Sequence, residues 1–134
     1  MANVSEIEGI GPVYAAKLEA NGIKTVAALL EAGASKKGRD KIAEETGIDY
    51  SRILKWVNMA DLFRIKGVGE EYSELLEAAG VDTVKELRNR NPENLHAKMM
   101  EVNEEKKLVR ALPAASQVAS WVEHAKTLEP MVSH

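Results

Sequence analysis

Apolar side chains recur at three- and four-residue spacing through most of the chain, and capping residues, glycines and prolines cut that periodicity into short helices. Asn3 and Glu6 have capping-box spacing and start a short first helix ending near Glu8. Gly9-Ile10-Gly11 predicts a tight turn, and Pro12 stands where the first residue of a helix tolerates proline. That helix runs to about Asn21 and stops at Gly22, expected in a left-handed cap. Thr25 caps a further short helix through Leu30, which Gly33 ends. Two more helices follow over 38–46 and about 50–65, separated by Gly47 and capped by Asp49, with Ile53, Trp56, Val57 and Ala60 on one face. Further on, Thr83 to Glu86 is a capping box, Asn91-Pro92 is a cap followed by a first-turn proline, and Ser116 starts the last helix. No segment alternates as a strand over more than four residues. The pattern predicts an all-α fold.

The same pattern occurs twice. IEGIGPVYAAKLEANGIKTVAALL from Ile7 and IKGVGEEYSELLEAAGVDTVKELR from Ile65 share Gly9/Gly67, Gly11/Gly69, Tyr14/Tyr72, Leu18/Leu76, Gly22/Gly80, Thr25/Thr83 and Val26/Val84, among others. Ordinary composition gives about one or two matches over such a window. Trp56-Val57 and Trp121-Val122 continue the likeness at a longer offset, so the second copy carries an insertion, placed around 103–116 where Pro113 interrupts any helix. The expected organisation is a tandem duplication, 1–62 and 63–134, packed as one compact domain.

Charge narrows the partners. The chain of 134 residues has a net charge of −3, and neither half has a basic excess, which handicaps a general polyanion binder. There is no cysteine, no signal-peptide pattern at Met1-Ala2-Asn3-Val4 and no apolar run of membrane-spanning length. The expectation is a cytoplasmic protein without a membrane partner. His96, His124 and His134 are scattered without ligand spacing, and the sequence holds no nucleophile–base arrangement, nucleotide-binding loop or zinc motif. No catalytic residue, metal, cofactor or small-molecule substrate is expected.

Chemistry enters at the glycine-bracketed turns. Hydrophobic-x-Gly-hydrophobic-Gly followed by a helix puts unpaired amides at a helix start, beside the positive end of its dipole, where a phosphate oxygen fits. Ile10 and Val68, between the glycines, anchor each turn inward. At Gly9-Ile10-Gly11-Pro12-Val13-Tyr14-Ala15-Ala16-Lys17-Leu18 the chain resembles the helix–hairpin–helix family. Ala20-Asn21-Gly22-Ile23-Lys24-Thr25-Val26 resembles the turn in the C-terminal domain of bacterial RNA polymerase alpha subunits. With the Trp-Val pairs of both copies, nearly the whole chain is similar to the bacterial family DUF4332, which implies tandem helix–hairpin–helix units and little about activity.

In the broader family such hairpins grip the sugar–phosphate backbone without reading sequence. The resemblance therefore implies a weak nucleic-acid contact through Gly9, Ile10, Gly11, Val13 and Tyr14, with Lys17, Lys36, Lys37 and Arg39 adding charge. The second hairpin, Gly67, Val68 and Gly69, departs from that pattern: Glu70 and Glu71 follow it, and two carboxylates repel a phosphate. It is expected to be structural. Lys36-Lys37-Gly38-Arg39-Asp40-Lys41 is equally a solvated helix start, and Trp56, Trp121, Tyr14 and Tyr72 are equally packing residues. The alternative function is a protein-interaction or scaffold module whose hairpins are purely structural, marked by an exposed apolar patch from Met99, Met100, Leu108, Val109 and Leu112.

Overall fold

The structure is a computed structural model and describes residues 2–134. It is helical, with a short 3-10 helix at Val4–Glu6 followed by α1 (Pro12–Ala20), α2 (Val26–Gly33), α3 (Lys36–Thr46) and α4 (Tyr50–Leu62). The rest of the chain forms α5 (Glu70–Ala78), α6 (Val84–Leu87), α7 (Pro92–Lys106) and α8 (Ala115–Lys126). Among the described residues there is no strand, only an isolated bridge between Asn3 and Thr25.

Local chemistry accounts for the helix ends. The Asn3 N–H donates to Glu6 Oε2 at 2.7 Å, while Asn3 Oδ1 accepts from the Ser5 amide at 2.9 Å. Thr25 Oγ1 accepts from the Ala28 amide at 3.0 Å, and Asn91 Oδ1 from the Asn94 amide at 3.0 Å. Each such cap satisfies a donor the helix leaves unpaired, and its removal costs about 1 kcal/mol. Gly47 closes α3 in the left-handed region at φ 75°, where a side chain costs strain. The last helix starts at Ala115, one residue before the expected Ser116, because Gln117 Oε1 reaches back to the Ala114 amide at 2.8 Å.

Gly33 ends α2, as expected, and has a second role. It lies inside α2 as its last residue, and a β-carbon there would stand 2.4 Å from Val57 Cγ2. It thus also permits the close approach between α2 and α4.

The chain divides into two compact units, Met1–Asp61 with Met131–His134, and Leu62–Pro130. In the first, Val4, Leu18, Leu29, Ile53, Val57 and Met59 are fully buried and Trp56 is 2% exposed. In the second, Leu62, Ile65, Leu75, Leu76, Leu87, Leu95, Val118 and Trp121 form one apolar core. Full burial of one such aliphatic side chain stabilises by about 1.5–3 kcal/mol, so these residues fix where the turns sit.

The tail belongs to the first unit, not to the end of a second half running to 134. The Ser133 amide donates to the Ala34 carbonyl at 2.9 Å, Val132 is buried, and the His134 ring lies 3.0 Å from Asn58 Oδ1.

Candidate functional site

The first turn is built from Gly9 and Gly11. Gly9 takes φ +93°, which an L side chain resists, and Gly11 is the extended N-cap of α1 with no side-chain cap. Ile10 between them is 4% exposed and anchors the turn, as expected. Pro12 has no N–H to satisfy, and the Ala15 amide closes the first helical bond onto the Gly11 carbonyl at 2.9 Å. Among the described residues no acceptor reaches the main-chain N–H of Gly11, Val13 or Tyr14. These donors lie at an exposed helix start, and Val13 is itself 68% exposed.

The tryptophan beneath each turn comes from later in the chain. A β-carbon on Gly9 would stand 3.3 Å from Trp56 Nε1, and one on Gly67 would stand 3.3 Å from Trp121 Nε1. Tyr14 packs on Trp56 with ring centroids 5.1 Å apart, and Tyr72 packs on Trp121 at 5.2 Å. Both units thus repeat one arrangement of glycine, tyrosine and tryptophan.

The surroundings of the two turns differ. At the first, the Arg52 guanidinium lies 5.7 Å from the centre of the Tyr14 ring and pairs with Asp49. The Ser51 hydroxyl, then Arg52, hold the Asp49 carboxyl below the usual carboxylate range, and Asp49 in turn raises Arg52. At the second, Gly69 caps α5, and Glu70 and Glu71 occupy the first turn. Glu71 lies 3.7 Å from Arg110, and the Tyr72 hydroxyl donates to the Ala111 carbonyl at 3.0 Å. Val68 is 6% exposed, the counterpart of Ile10. The Lys66 amide donates to His124 Nδ1 at 3.1 Å, so one more polar group of this turn is satisfied from within the unit.

The basic cluster of α3 does not form one exposed surface. Lys36, Lys37 and Lys41 are exposed, as is Lys17 on α1. Lys36 pairs with Asp40 at 3.0 Å, which raises its pKa, and sits 5.5 Å from the centre of the Tyr50 ring. Arg39 corrects the sequence reading: it is 0% exposed and cannot meet a phosphate at the surface. Its Nε donates to Tyr50 Oη at 3.0 Å, Nη1 to the Gly33 and Ala34 carbonyls at 2.8 and 3.0 Å, and Nη2 to the Ser133 carbonyl at 2.6 Å. A buried guanidinium is tolerated here because carbonyls at the negative end of α2 receive it.

Arg52 is the cation that sequence reasoning missed. Its only local signal was its position three residues after the Asp49 cap, with nothing to announce Tyr14 beneath it. Tyr50 and Arg52 share the first turn of α4; Lys36 lies by the Tyr50 ring and Arg52 by the Tyr14 ring. Each of these two cations carries its own carboxylate, Asp40 and Asp49.

The expected apolar patch is smaller than the sequence suggested. Met99 and Val109 are buried at 0% and 6%, Leu108 is partly buried, and Met100 and Leu112 remain exposed. Among the described residues no three His, Asp or Glu side chains gather as metal ligands, and no helix is long and apolar enough to cross a membrane.

A family model described as a domain of unknown function, DUF4332, matches residues 8–128. No solved structure matches the chain.

Proposed function

The chain belongs to the DUF4332 family, and we propose that this member is a non-enzymatic, cytoplasmic helix–hairpin–helix binding module. Its first hairpin makes weak, sequence-nonspecific contact with the sugar–phosphate backbone of a nucleic acid. The observation that carries this reading is the exposed start of α1, where the amides of Gly11, Val13 and Tyr14 lack protein acceptors and Arg52 lies over the adjacent Tyr14. Oriented amides and the helix dipole attract one phosphate, and Arg52 and Lys17 add charge for its neighbours.

The second hairpin is structural in this reading. Glu70 and Glu71 repel an anion, and the Tyr72 hydroxyl is tied to Ala111. The recurrence of the glycine–tryptophan contact in both units supports a duplicated fold element of which one copy kept its anion site.

A second reading, a protein-interaction module with two structural hairpins, is favoured by the charge pattern. Lys36 and Arg52 are each paired with an aspartate, and the chain is net acidic.

Titration of a fluorescein-labelled 12-base-pair duplex with the protein separates the two. With a few phosphates engaged, the nucleic-acid reading expects a Kd of about 10⁻⁴–10⁻⁶ M at low salt, weakening steeply with added salt. An anisotropy that stays flat at low salt selects the second.

A further inference from the structure

A groove of about 610 Å³ opens on the second unit, between α7 and the loop over 107–114. Its walls are Ala97, Met100, Glu101, Asn103, Glu104 and Leu112. Residues 97, 100, 101 and 104 stand at i, i+3, i+4 and i+7, so one stripe of α7 forms a wall two turns long. Leu112 faces it from the loop. Met100 and Leu112 are each 44% exposed, two of the few large apolar side chains left in water, and both line this groove.

The loop is held in place without a ligand. Asn103 Oδ1 accepts from the Val109 amide at 2.9 Å and its Nδ2 donates to the Val109 carbonyl at 3.3 Å. The Tyr72 hydroxyl donates to the Ala111 carbonyl at 3.0 Å, and His96 Nε2 lies 2.9 Å from the Pro113 carbonyl. Tethers at three alternate residues leave Leu112 between two fixed points, so the groove is preformed, which lowers the ordering cost of binding.

Its charge selects the occupant. Glu101 and Glu104 sit one turn apart beside the apolar floor. Glu101 has only an exposed Lys98 at 3.9 Å, and Glu104 makes no ion pair among the described residues. We propose that this groove binds a cationic amphipathic helical segment of a partner protein. One Leu- or Met-sized anchor enters between Met100 and Leu112, and Lys or Arg residues one turn apart meet Glu101 and Glu104. The proposal is independent of the hairpin reading, because the groove and the first hairpin are in different units.

The test uses the full chain labelled with ¹³C at the methionine methyls. Met59 and Met99 are buried, whereas Met100 and Met131 are exposed, so Met100 reports the groove and Met131 serves as the control. The probe is a twelve-residue Leu/Lys helix with Leu at three-four spacing, beside a Ser/Lys version lacking the anchors and a Leu/Glu version of opposite charge. Expected is a saturable shift of Met100 but not Met131 with the Leu/Lys peptide alone, weakened about tenfold in the double variant Glu101→Lys/Glu104→Lys. Thermal melting of that variant, whose changes are on the surface, checks that it folds. Absence of a Met100 shift, an equal shift with either control peptide, or binding untouched by the double variant overturns the proposal. A Met100 shift that grows with protein concentration alone also overturns it, by placing a second copy in the groove.

Discussion

A β-carbon on Gly9 would stand 3.3 Å from the indole Nε1 of Trp56, in a turn where Gly9 already takes φ +93°. The missing side chain lets the indole close under the bend, and the left-handed angle gives the bend its sharpness. Helix, turn and tryptophan are therefore one unit, and the exposed amides of α1 depend on it.

Gly9→Ala meets strain and crowding together. The backbone angle alone costs about 1–2 kcal/mol for an L residue, and the indole must shift as well. Chemical denaturation should show a loss of at least that size, with altered tryptophan emission in the native baseline. Gly67→Ala, at φ +91° and the same 3.3 Å from Trp121, should lose a similar amount. A loss of only a few tenths of a kcal/mol at either site contradicts the packing described.

Gly33→Ala drives a β-carbon into Val57 Cγ2. Overpacking of this kind costs about 1–3 kcal/mol. Val57→Ala removes the obstructing methyl, so the double variant should be less destabilised than the sum of the two single changes. Strict additivity in urea unfolding contradicts the close approach of α2 and α4.

Arg39→Met keeps much of the side-chain volume, strands the buried Gly33 carbonyl and removes the tie to the Ser133 carbonyl, while the Ala34 carbonyl keeps the Ser133 amide. A stranded buried acceptor costs about 1–3 kcal/mol. Stability should fall by that order while duplex affinity, measured below the unfolding transition, stays unchanged. A selective loss of duplex binding at full stability would restore Arg39 to the binding surface.

Asp49→Asn retains an N-cap for α4 and removes the charge that occupies Arg52. Duplex affinity at low salt should rise severalfold, from one freed cation. The pH sign follows from the lowered pKa of Asp49: the ionised carboxylate contributes stability above its usual pKa, and that contribution is lost as pH falls through the lowered value. The wild-type chain should therefore lose stability more steeply than Asp49→Asn below about pH 4. Parallel acid-unfolding curves for the two contradict this.

Local features were legible in the sequence because their chemistry spans a few residues. The Asn3–Glu6 capping box, the Thr25 and Asn91 caps, the left-handed Gly22, the break at Gly47, and the buried Trp56 and Trp121 all follow from spacing alone. The missed features are long-range. Arg39 reads as one of a run of cations, and nothing nearby announces Ser133, ninety-four residues away, as its partner. Gly33 reads correctly as a helix stop, but its close approach to Val57 lies outside any local window. Arg52 over Tyr14 joins two helices distant in sequence, so this exposed cation escaped notice while the buried Arg39 was assigned to the surface.

The most direct measurement is the amide chemical-shift response of the ¹⁵N-labelled chain to an unlabelled 12-base-pair duplex at low salt. Expected are saturable shifts at Gly11, Val13 and Tyr14, reversed by salt, with Gly69, Glu71 and Tyr72 still. Shifts confined to the second turn, or none at either, would contradict a phosphate contact through the first hairpin.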